Sequence, residues 1–213
     1  MHIALIGATG FVGTALLNEL LQRGHRVTAL ARDPAKLPLR EGLTVVQADA
    51  TDAAQVAQAV RGVDAVASAY NPGWTHPDLH DEFLRGSRAI TAGVKAAGVQ
   101  RLLVVGGAGS LYVAPGVQLV DTPQFPAEWK NGALAAREAL NLLRQESTLQ
   151  WTFLSPAILL EPGERTGHYR LGTESPLMNG DQPGKISVAD LAVAIADELE
   201  APRHLQQRFT VAY

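Results

Sequence analysis

The sequence predicts an α/β fold in which helices cover both faces of one doubly wound, mostly parallel sheet of about seven strands. Short apolar runs alternate along the chain with longer amphipathic segments, which is typical of strand–helix–strand units. The runs at residues 3–6 and 102–105 are continuously apolar, as expected for strands that are buried on both faces. Together these patterns indicate a central, covered sheet.

The predicted elements follow one another in a regular order. Strands are predicted at residues 3–6, 27–31, 45–47, 65–69, 102–105, 151–154 and 209–211. Helices are predicted at residues 11–23, 53–60, 79–97, 128–146 and 188–199, where hydrophobic residues recur at helical spacing. With 213 residues and 46% hydrophobic content, the chain is expected to form one domain spanning residues 1–213.

Composition excludes several classes of function. The chain has no cysteine, which removes disulfides, thiolate metal sites and catalytic thiols. Its net charge of -3 and the lack of a Lys/Arg block argue against nucleic-acid binding. It has neither a secretory signal pattern nor an apolar run of roughly 18 residues, so we expect a cytoplasmic protein without a membrane segment. Composition leaves open whether the protein is a monomer or a homodimer.

Three segments lack the periodicity of a helix or a strand: residues 71–78, 111–127 and 162–184. Each follows a predicted strand, and ligands of open α/β sheets bind beyond the carboxyl ends of the strands. Long loops in a compact domain are usually functional or disordered. We therefore expect these segments to form the walls of a substrate pocket, with plain surface loops as the alternative.

A glycine-rich turn, GATGFVG at residues 7–13, follows the first predicted strand directly and opens the first predicted helix. In the Rossmann fold, glycines at this spacing allow a tight turn, close approach of the backbone to a pyrophosphate, and close packing of helix on strand. The helix N-terminus adds unpaired N–H donors and a partial positive charge. We predict that the following residues contact a nicotinamide dinucleotide: Gly7, Thr9, Gly10, Phe11, Val12 and Gly13.

The residue after the second strand selects the dinucleotide. An acidic side chain there accepts hydrogen bonds from the adenosine ribose and repels a 2′-phosphate. In this chain Arg32 occupies the tip of the strand and can pair bidentately with a 2′-phosphate. Arg32 therefore favours NADP(H), while the neighbouring Asp33 leaves NAD(H) open.

Three further segments carry a family resemblance: VVGGAGS at residues 104–110, WTFLSP at 151–156 and ISVADLA at 186–192. With the glycine turn, they resemble the atypical short-chain dehydrogenase/reductase superfamily over essentially the whole chain. Within it, the chain is most similar to an NAD(P)H-binding group of NADH-flavin reductases that itself resembles biliverdin/flavin reductase. The resemblance implies that Asp49 and Ala50 contact adenine. It also implies nicotinamide-side contacts from Ala69, Tyr70, Asn71, Gly106, Gly107, Ser155, Pro156 and Ala157.

The chain departs from that superfamily at the catalytic pair. The usual pair is a tyrosine followed four residues later by a lysine that lowers the pKa of the phenol. Here Tyr112 is followed by Gly116, and Lys130 is preceded by Pro126. Ala157 stands where the biliverdin/flavin reductase group has a histidine. A ketone reductase or alcohol dehydrogenase mechanism is therefore disfavoured.

Hydride transfer to a flavin or quinone does not require the Tyr/Lys pair, because such a planar acceptor takes hydride readily and solvent can protonate it. We expect Ser110 and Tyr112 to donate hydrogen bonds to the acceptor, and Lys130 to bind the nicotinamide ribose or a phosphate. Each residue has a structural alternative, in local packing or as a solvated side chain. Two other functions stay open: a dinucleotide-binding sensor without turnover, and an epimerase or dehydratase relative.

Asp52 and Asp190 have predicted structural roles, and the segment that contains His76 and His80 is expected to contact the substrate. Asp52 is expected to cap the helix at 53–60, and Asp190 to cap a helix or order the C-terminal segment. His76 and His80 lie four residues apart, but Pro77 and Asp78 place a helix start between them, so no metal site is predicted. Trp74, in the same segment, is expected to stack on a planar ligand.

Overall fold

The computed structural model, which describes all 213 residues, contains a central sheet of eight strands. The strands of the chain are β1 His2–Ile6, β2 Arg26–Ala31, β3 Leu43–Gln47, β4 Ala65–Ser68, β5 Arg101–Val105, β6 Tyr112–Ala114, β7 Val117–Gln118, β8 Gln150–Ser155, β9 Leu159–Glu161, β10 Arg170–Gly172, β11 Met178–Asn179, β12 Gln182–Pro183, β13 Lys185–Ser187 and β14 Gln207–Ala212. The helices are α1 Phe11–Gln22, α2 Ala53–Ala59, α3 Leu79–Ala96, α4 Ala127–Leu143 and α5 Val188–Glu200.

The central sheet has the order β10-β14-β8-β5-β4-β1-β2-β3. Seven of its strands are parallel, and the edge strand β10 pairs antiparallel with β14. The chain order reverses at β1, which pairs with β2 on one side and with β4 on the other. In doubly wound sheets this switch point is where ligands bind, beyond the carboxyl ends of the strands.

The two faces of the sheet bury alternate residues of its inner strands. Ile3 and Leu5 of β1 pack in a core with α1 and α5, whereas Ala4 and Ile6 pack in a second core with α2, α3 and α4. Burial on both faces explains why the runs at residues 3–6 of β1 and 102–105 of β5 are continuously apolar. The predicted α/β doubly wound fold is confirmed, and all seven predicted strands and five predicted helices are present within a few residues of their expected bounds.

The prediction that the longer segments lack regular structure is wrong for two of the three. Residues 111–127 contain the β6–β7 hairpin, and residues 162–184 contain β10 and the β11–β12 hairpin. These strands are two or three residues long, too short for alternation to be detectable in the sequence. The pairing partner of β10 lies about forty residues away in the chain, so its pairing depends on the tertiary fold.

Asp190 orders the C-terminal segment, as predicted. Its carboxylate accepts hydrogen bonds from the Thr166 N–H, the Thr166 hydroxyl, the Gly167 N–H and the Tyr213 hydroxyl, at 2.6–2.8 Å. The cap of α5 is Ser187, whose Oγ accepts from the Asp190 N–H at 2.9 Å. Asp190 therefore holds residues 166–167 and the C-terminus against the start of α5. None of the five helices combines the length and apolar character needed to span a bilayer.

Candidate functional site

The turn between β1 and α1 leaves no room for side chains at two of its three glycines. Gly7 has φ +83°, and a Cβ there would lie 2.4 Å from the carbonyl oxygen of Ala69. A Cβ on Gly13 would lie 1.9 Å from the carbonyl oxygen of Gly7. Gly10 is different, because it is exposed and a Cβ there would meet only the Gly7 oxygen, at 3.4 Å. Packing therefore requires Gly7 and Gly13, while Gly10 leaves the turn open toward solvent.

The N-terminus of α1 presents free donors beside this open position. The N–H of Thr14 is the first to bond within the helix, to Gly10 at 2.8 Å, and no acceptor meets the N–H groups of Phe11, Val12 and Gly13. The first turn carries neither an acidic residue nor a capping side chain. Thr9 and Phe11 are exposed on either side of Gly10. Free N–H groups at a helix N-terminus are suited to an anion such as a diphosphate.

Arg32 lies one residue beyond β2 and is exposed, and its guanidinium forms no hydrogen bond or ion pair within the chain. The carboxylate of Asp33 accepts from the N–H of Ala35 at 3.1 Å and caps a short 3-10 turn at Pro34–Lys36. The free guanidinium therefore suits a phosphate, whereas one carboxylate oxygen of Asp33 is already used.

Asp49, after β3, offers one free carboxylate oxygen. Its Oδ1 accepts from the Thr51 N–H and the Thr51 hydroxyl, at 2.9 and 2.8 Å, while its Oδ2 has no partner. The Thr51 N–H is the main reason that the pKa of Asp49 lies below its ordinary value, and the positive charges of Arg32 and Arg85 contribute. Asp49, next to the half-buried Ala50, thus offers an ionised carboxylate oxygen that can accept a hydrogen bond.

The segment after β4 contacts both the glycine turn and α3. Ala69 lies against Gly7, while the ring of Tyr70 covers Gly86 of α3, where a Cβ would lie 2.2 Å from the ring. The Tyr70 hydroxyl donates to the Glu82 carbonyl at 3.2 Å, and burial raises the pKa of Tyr70 to about 12. Tyr70 therefore directs its hydroxyl toward α3. The side chain of Asn71 accepts from the Gly73 N–H at 2.8 Å and shapes the loop.

The carboxyl ends of β5 and β8 bring together the residues expected at the nicotinamide. Gly106 is kept small by Phe153 of β8, because a Cβ would lie 1.9 Å from its ring, whereas a Cβ on Gly107 would meet only Ala136, at 3.8 Å. Ser155, Pro156 and Ala157 are buried at the end of β8. The Ser155 hydroxyl has no hydrogen-bond partner, nor has that of Thr210, its register partner on β14. Buried polar groups usually have a partner, so these two hydroxyls leave unmatched hydrogen-bonding capacity at this end of the sheet.

The three residues predicted to assist the reaction differ in their surroundings. Ser110 is only 2% exposed, and its Oγ accepts from Arg208 at 2.8 Å. Tyr112 is half-buried with its ring 6.0 Å from the Arg208 guanidinium, and its hydroxyl forms no hydrogen bond within the chain. Lys130 is exposed in the first turn of α4 and forms no ion pair. Tyr112 and Lys130 thus remain available to a ligand, whereas Ser110 is enclosed.

Sequence reasoning missed Arg208 and Glu174. Arg208 lies in β14 with a fully buried side chain that bonds to Ser110 and forms an ion pair with Glu174. Glu174 also pairs with Arg144 at 2.9 Å, and its carbonyl accepts from the Tyr112 N–H at 2.8 Å. The available signal was an arginine inside an otherwise apolar strand, which in a buried element requires a partner.

The ring of Trp74, in the loop at residues 71–78, packs against α4. A Cβ on Gly132 would come within 2.6 Å of the Trp74 ring, so the ring lies directly on the helix backbone. The side chain stays 59% exposed. Trp74 therefore offers an aromatic surface in the loop at residues 71–78. The exposed Trp129 lies in α4, three residues before Gly132.

Comparison with known proteins places the chain among dinucleotide-binding proteins. It is 41% identical over 216 residues to the uncharacterised protein YwnB of Bacillus subtilis (strain 168), covering 99% of this chain and 98% of that one. A solved structure from Bacteroides thetaiotaomicron, described as a candidate epimerase, is 46% identical with a TM-score of 0.93, covering 100% of this chain and 96% of that one. A candidate NADH-flavin reductase from Streptococcus pneumoniae TIGR4, SP1627, is 36% identical with a TM-score of 0.87, covering 100% of this chain and 99% of that one.

Residues 7–202 match the NAD(P)H-binding family. The match begins at the first glycine of the turn whose free N–H groups suit a diphosphate, and it extends beyond the end of α5. The chain therefore belongs to the NAD(P)H-binding family of Rossmann-fold proteins, within the atypical short-chain dehydrogenases/reductases.

Proposed function

We propose that the protein is an NADP(H)-dependent reductase that delivers hydride to a planar acceptor such as a flavin or a quinone. The observation that carries this proposal is a complete diphosphate turn in a chain that lacks the Tyr-x-x-x-Lys pair. Acceptors that solvent can protonate need stacking against the nicotinamide more than they need a protein acid. The likeness to the candidate NADH-flavin reductase supports the same acceptor class.

We assign each part of the dinucleotide to particular residues of the chain. In this proposal the free N–H groups of Phe11, Val12 and Gly13 bind the diphosphate, and Arg32 pairs with the 2′-phosphate. Asp49 accepts from the adenine amine. Gly106, Gly107 and residues 155–157 would hold the nicotinamide ring, which would supply the hydride. The unpartnered Ser155 hydroxyl supports a polar contact there.

The acceptor would bind beside Trp74, whose exposed ring suits stacking on a planar molecule. Tyr112 keeps a free hydroxyl next to a buried arginine, and we assign it the hydrogen bond to an acceptor carbonyl. Lys130 is exposed, and we assign it the nicotinamide ribose or a phosphate. Because Ser110 is enclosed and bonded to Arg208, we assign it to holding this wall in place.

The cofactor assignment is tested by titrating NADPH and NADH into the protein and following binding by calorimetry. NADPH should bind more tightly than NADH, and Arg32→Ala should weaken NADPH binding about tenfold or more while leaving NADH binding unchanged. Arg61→Ala, at an exposed residue beyond α2, is the matched control and should change neither. If neither dinucleotide binds, the proposal fails.

The reaction is tested by following NADPH oxidation at 340 nm with flavin mononucleotide, riboflavin and a benzoquinone. Turnover that saturates in the acceptor supports a reductase.

The absence of the acid/base pair also favours a second function, a dinucleotide-binding sensor, and tight NADPH binding without turnover across this panel would establish it. An epimerase is a third candidate function, supported by the likeness to the structure described as a candidate epimerase. The missing Tyr-x-x-x-Lys pair disfavours it.

A further inference from the structure

A cavity with a volume of about 380 Å³ lies between α3 and α4, apart from the glycine turn. Its floor is the sheet itself, where Ser68 of β4 and Val104 and Val105 of β5 line it beneath the two helices. This volume is in the range of pockets that hold small organic molecules. Of the residues assigned to the dinucleotide above, only Tyr70 lines this space.

The cavity wall is mainly apolar. Phe83 and Ile90 contribute from α3, and Ala139, Leu142 and Leu143 from α4. Few polar atoms reach the interior, because the hydroxyls of the two lining residues Ser87 and Thr91 bond back to carbonyls of α3, at 2.9 and 3.0 Å. Such a wall favours an apolar molecular body.

The charged groups are at the rim. Arg88 and Lys95 of α3 are exposed there, and Glu146, just beyond α4, is the one acidic residue of the lining. Lys95 Nζ lies 2.7 Å from Glu146 Oε2, while Arg88 Nη2 approaches Glu138 Oε1 only to 3.6 Å. The lining thus carries two cations and one anion. The Arg88–Glu138 pair is exposed on both sides and is therefore weak. The Glu146 side chain is only 12% exposed and also accepts from Thr148 and Leu149, so a ligand carboxylate at Lys95 competes with it.

We propose that this cavity binds an amphipathic small molecule with an apolar body and one carboxylate, the body between α3 and α4 and the carboxylate at Arg88 and Lys95. The depth of the cavity argues for a small molecule, because a protein surface laid across the helices would leave the floor formed by β4 and β5 empty. The cavity uses none of the residues assigned to the diphosphate or to adenine, so the proposal stands whether or not the proposed reductase activity is correct.

The probe is decanoate, titrated by calorimetry into the full chain alone and with saturating NADPH. Saturable binding to one site, unchanged by NADPH, is expected. Decanol should bind more weakly, since it lacks the charge that Arg88 and Lys95 attract. Absence of saturable binding, or displacement of decanoate by NADPH, would overturn the proposal.

Five variants test the position of the site. Ala139→Phe fills the cavity and should weaken decanoate binding at least tenfold, whereas Asn141→Phe, at an exposed residue of the same helix, should leave it unchanged. Glu146→Gln removes the competing anion and should tighten decanoate binding several-fold without affecting decanol, and Lys95→Gln should weaken decanoate alone. If Ala139→Phe does not fold, Thr91→Leu fills the cavity from α3. Equal binding to the filled and control variants refutes the site.

Discussion

The buried guanidinium of Arg208 donates two hydrogen bonds to Ser110, one to Oγ at 2.8 Å and one to the carbonyl oxygen at 2.9 Å. Its remaining donors face Glu174. Arg208 thereby joins β14 to the turn after β5, next to Tyr112. A buried charge that lost these partners would be costly, so the cluster fixes the wall on which Tyr112 is presented.

Ser110→Ala should lower the free energy of unfolding by about 1–2 kcal/mol, because Arg208 loses a buried acceptor. Turnover by the folded variant should change less than about twofold, since the Ser110 hydroxyl is enclosed. Tyr112→Phe is the matched comparison and should do the opposite, with stability retained and kcat lowered for a quinone acceptor. Urea unfolding and NADPH oxidation measure the two effects. A large loss of kcat in folded Ser110→Ala would instead support direct contact of Ser110 with the acceptor.

Gly10→Ala and Gly13→Ala should separate cofactor binding from folding. A methyl group at position 10 has room at 3.4 Å from its nearest neighbour, and the backbone there has φ -83°, so Gly10→Ala should fold with stability within about 1 kcal/mol of the parent. It should nevertheless weaken NADPH binding about tenfold or more, because the methyl lies where the diphosphate approaches the helix N-terminus.

Gly13→Ala should impair folding itself. Its Cβ would lie 1.9 Å from a backbone oxygen that cannot move without distorting β1, so we expect a loss of several kcal/mol of stability or no folded protein. Thermal unfolding and NADPH calorimetry on both variants check this pair. Undiminished NADPH binding by Gly10→Ala would show that the diphosphate does not bind at this turn.

Gly132→Ala should weaken binding of the acceptor without changing binding of the cofactor. The added methyl would lie 2.6 Å from the Trp74 ring, which must then leave its position on α4. We expect the KM for a flavin acceptor to rise several-fold, as it should also in Trp74→Ala, with the NADPH dissociation constant unchanged. Asn131→Ala, at the exposed neighbouring residue, is the control. A change in NADPH affinity without a change in KM would place Trp74 at the cofactor instead.

Asp190 should make stability depend on pH in the acidic range. Burial alone would raise its pKa, but hydrogen bonds from Thr166, Tyr213 and the Gly167 N–H hold the pKa below its ordinary value of 3.8. A carboxylate with a lowered pKa in the folded state contributes stability that is fully present above the unfolded pKa and lost as pH falls through the folded pKa.

Asp190→Asn should therefore lose about 1–3 kcal/mol of stability at pH 7, with a smaller deficit at pH 3, because charged hydrogen bonds are replaced by weaker ones. Urea unfolding at both values measures the difference. Asp181→Asn, on the exposed turn between β11 and β12, should show no such loss. An equal deficit at both pH values would show that the charge of Asp190 has no role.

The sequence by itself determined the elements that depend on local pattern. Short apolar runs located all seven parallel strands, helical periodicity located the five helices, and the glycine turn located the junction of β1 and α1. Asp52 was predicted as a helix cap, and its carboxylate does accept from the N–H groups of Ala54 and Gln55. Each of these features arises from residues close together in the chain, where spacing alone constrains geometry.

Only the tertiary structure decided what depends on residues far apart in the chain. The edge strand β10 exists because β14 offers it a free edge, and the enclosure of Ser110 follows from an arginine 98 residues away. The cavity between α3 and α4 likewise depends on how two helices pack over the sheet. Hydrophobic pattern specifies which face of an element is buried, but the partner on that face is chosen by the packing of the whole chain.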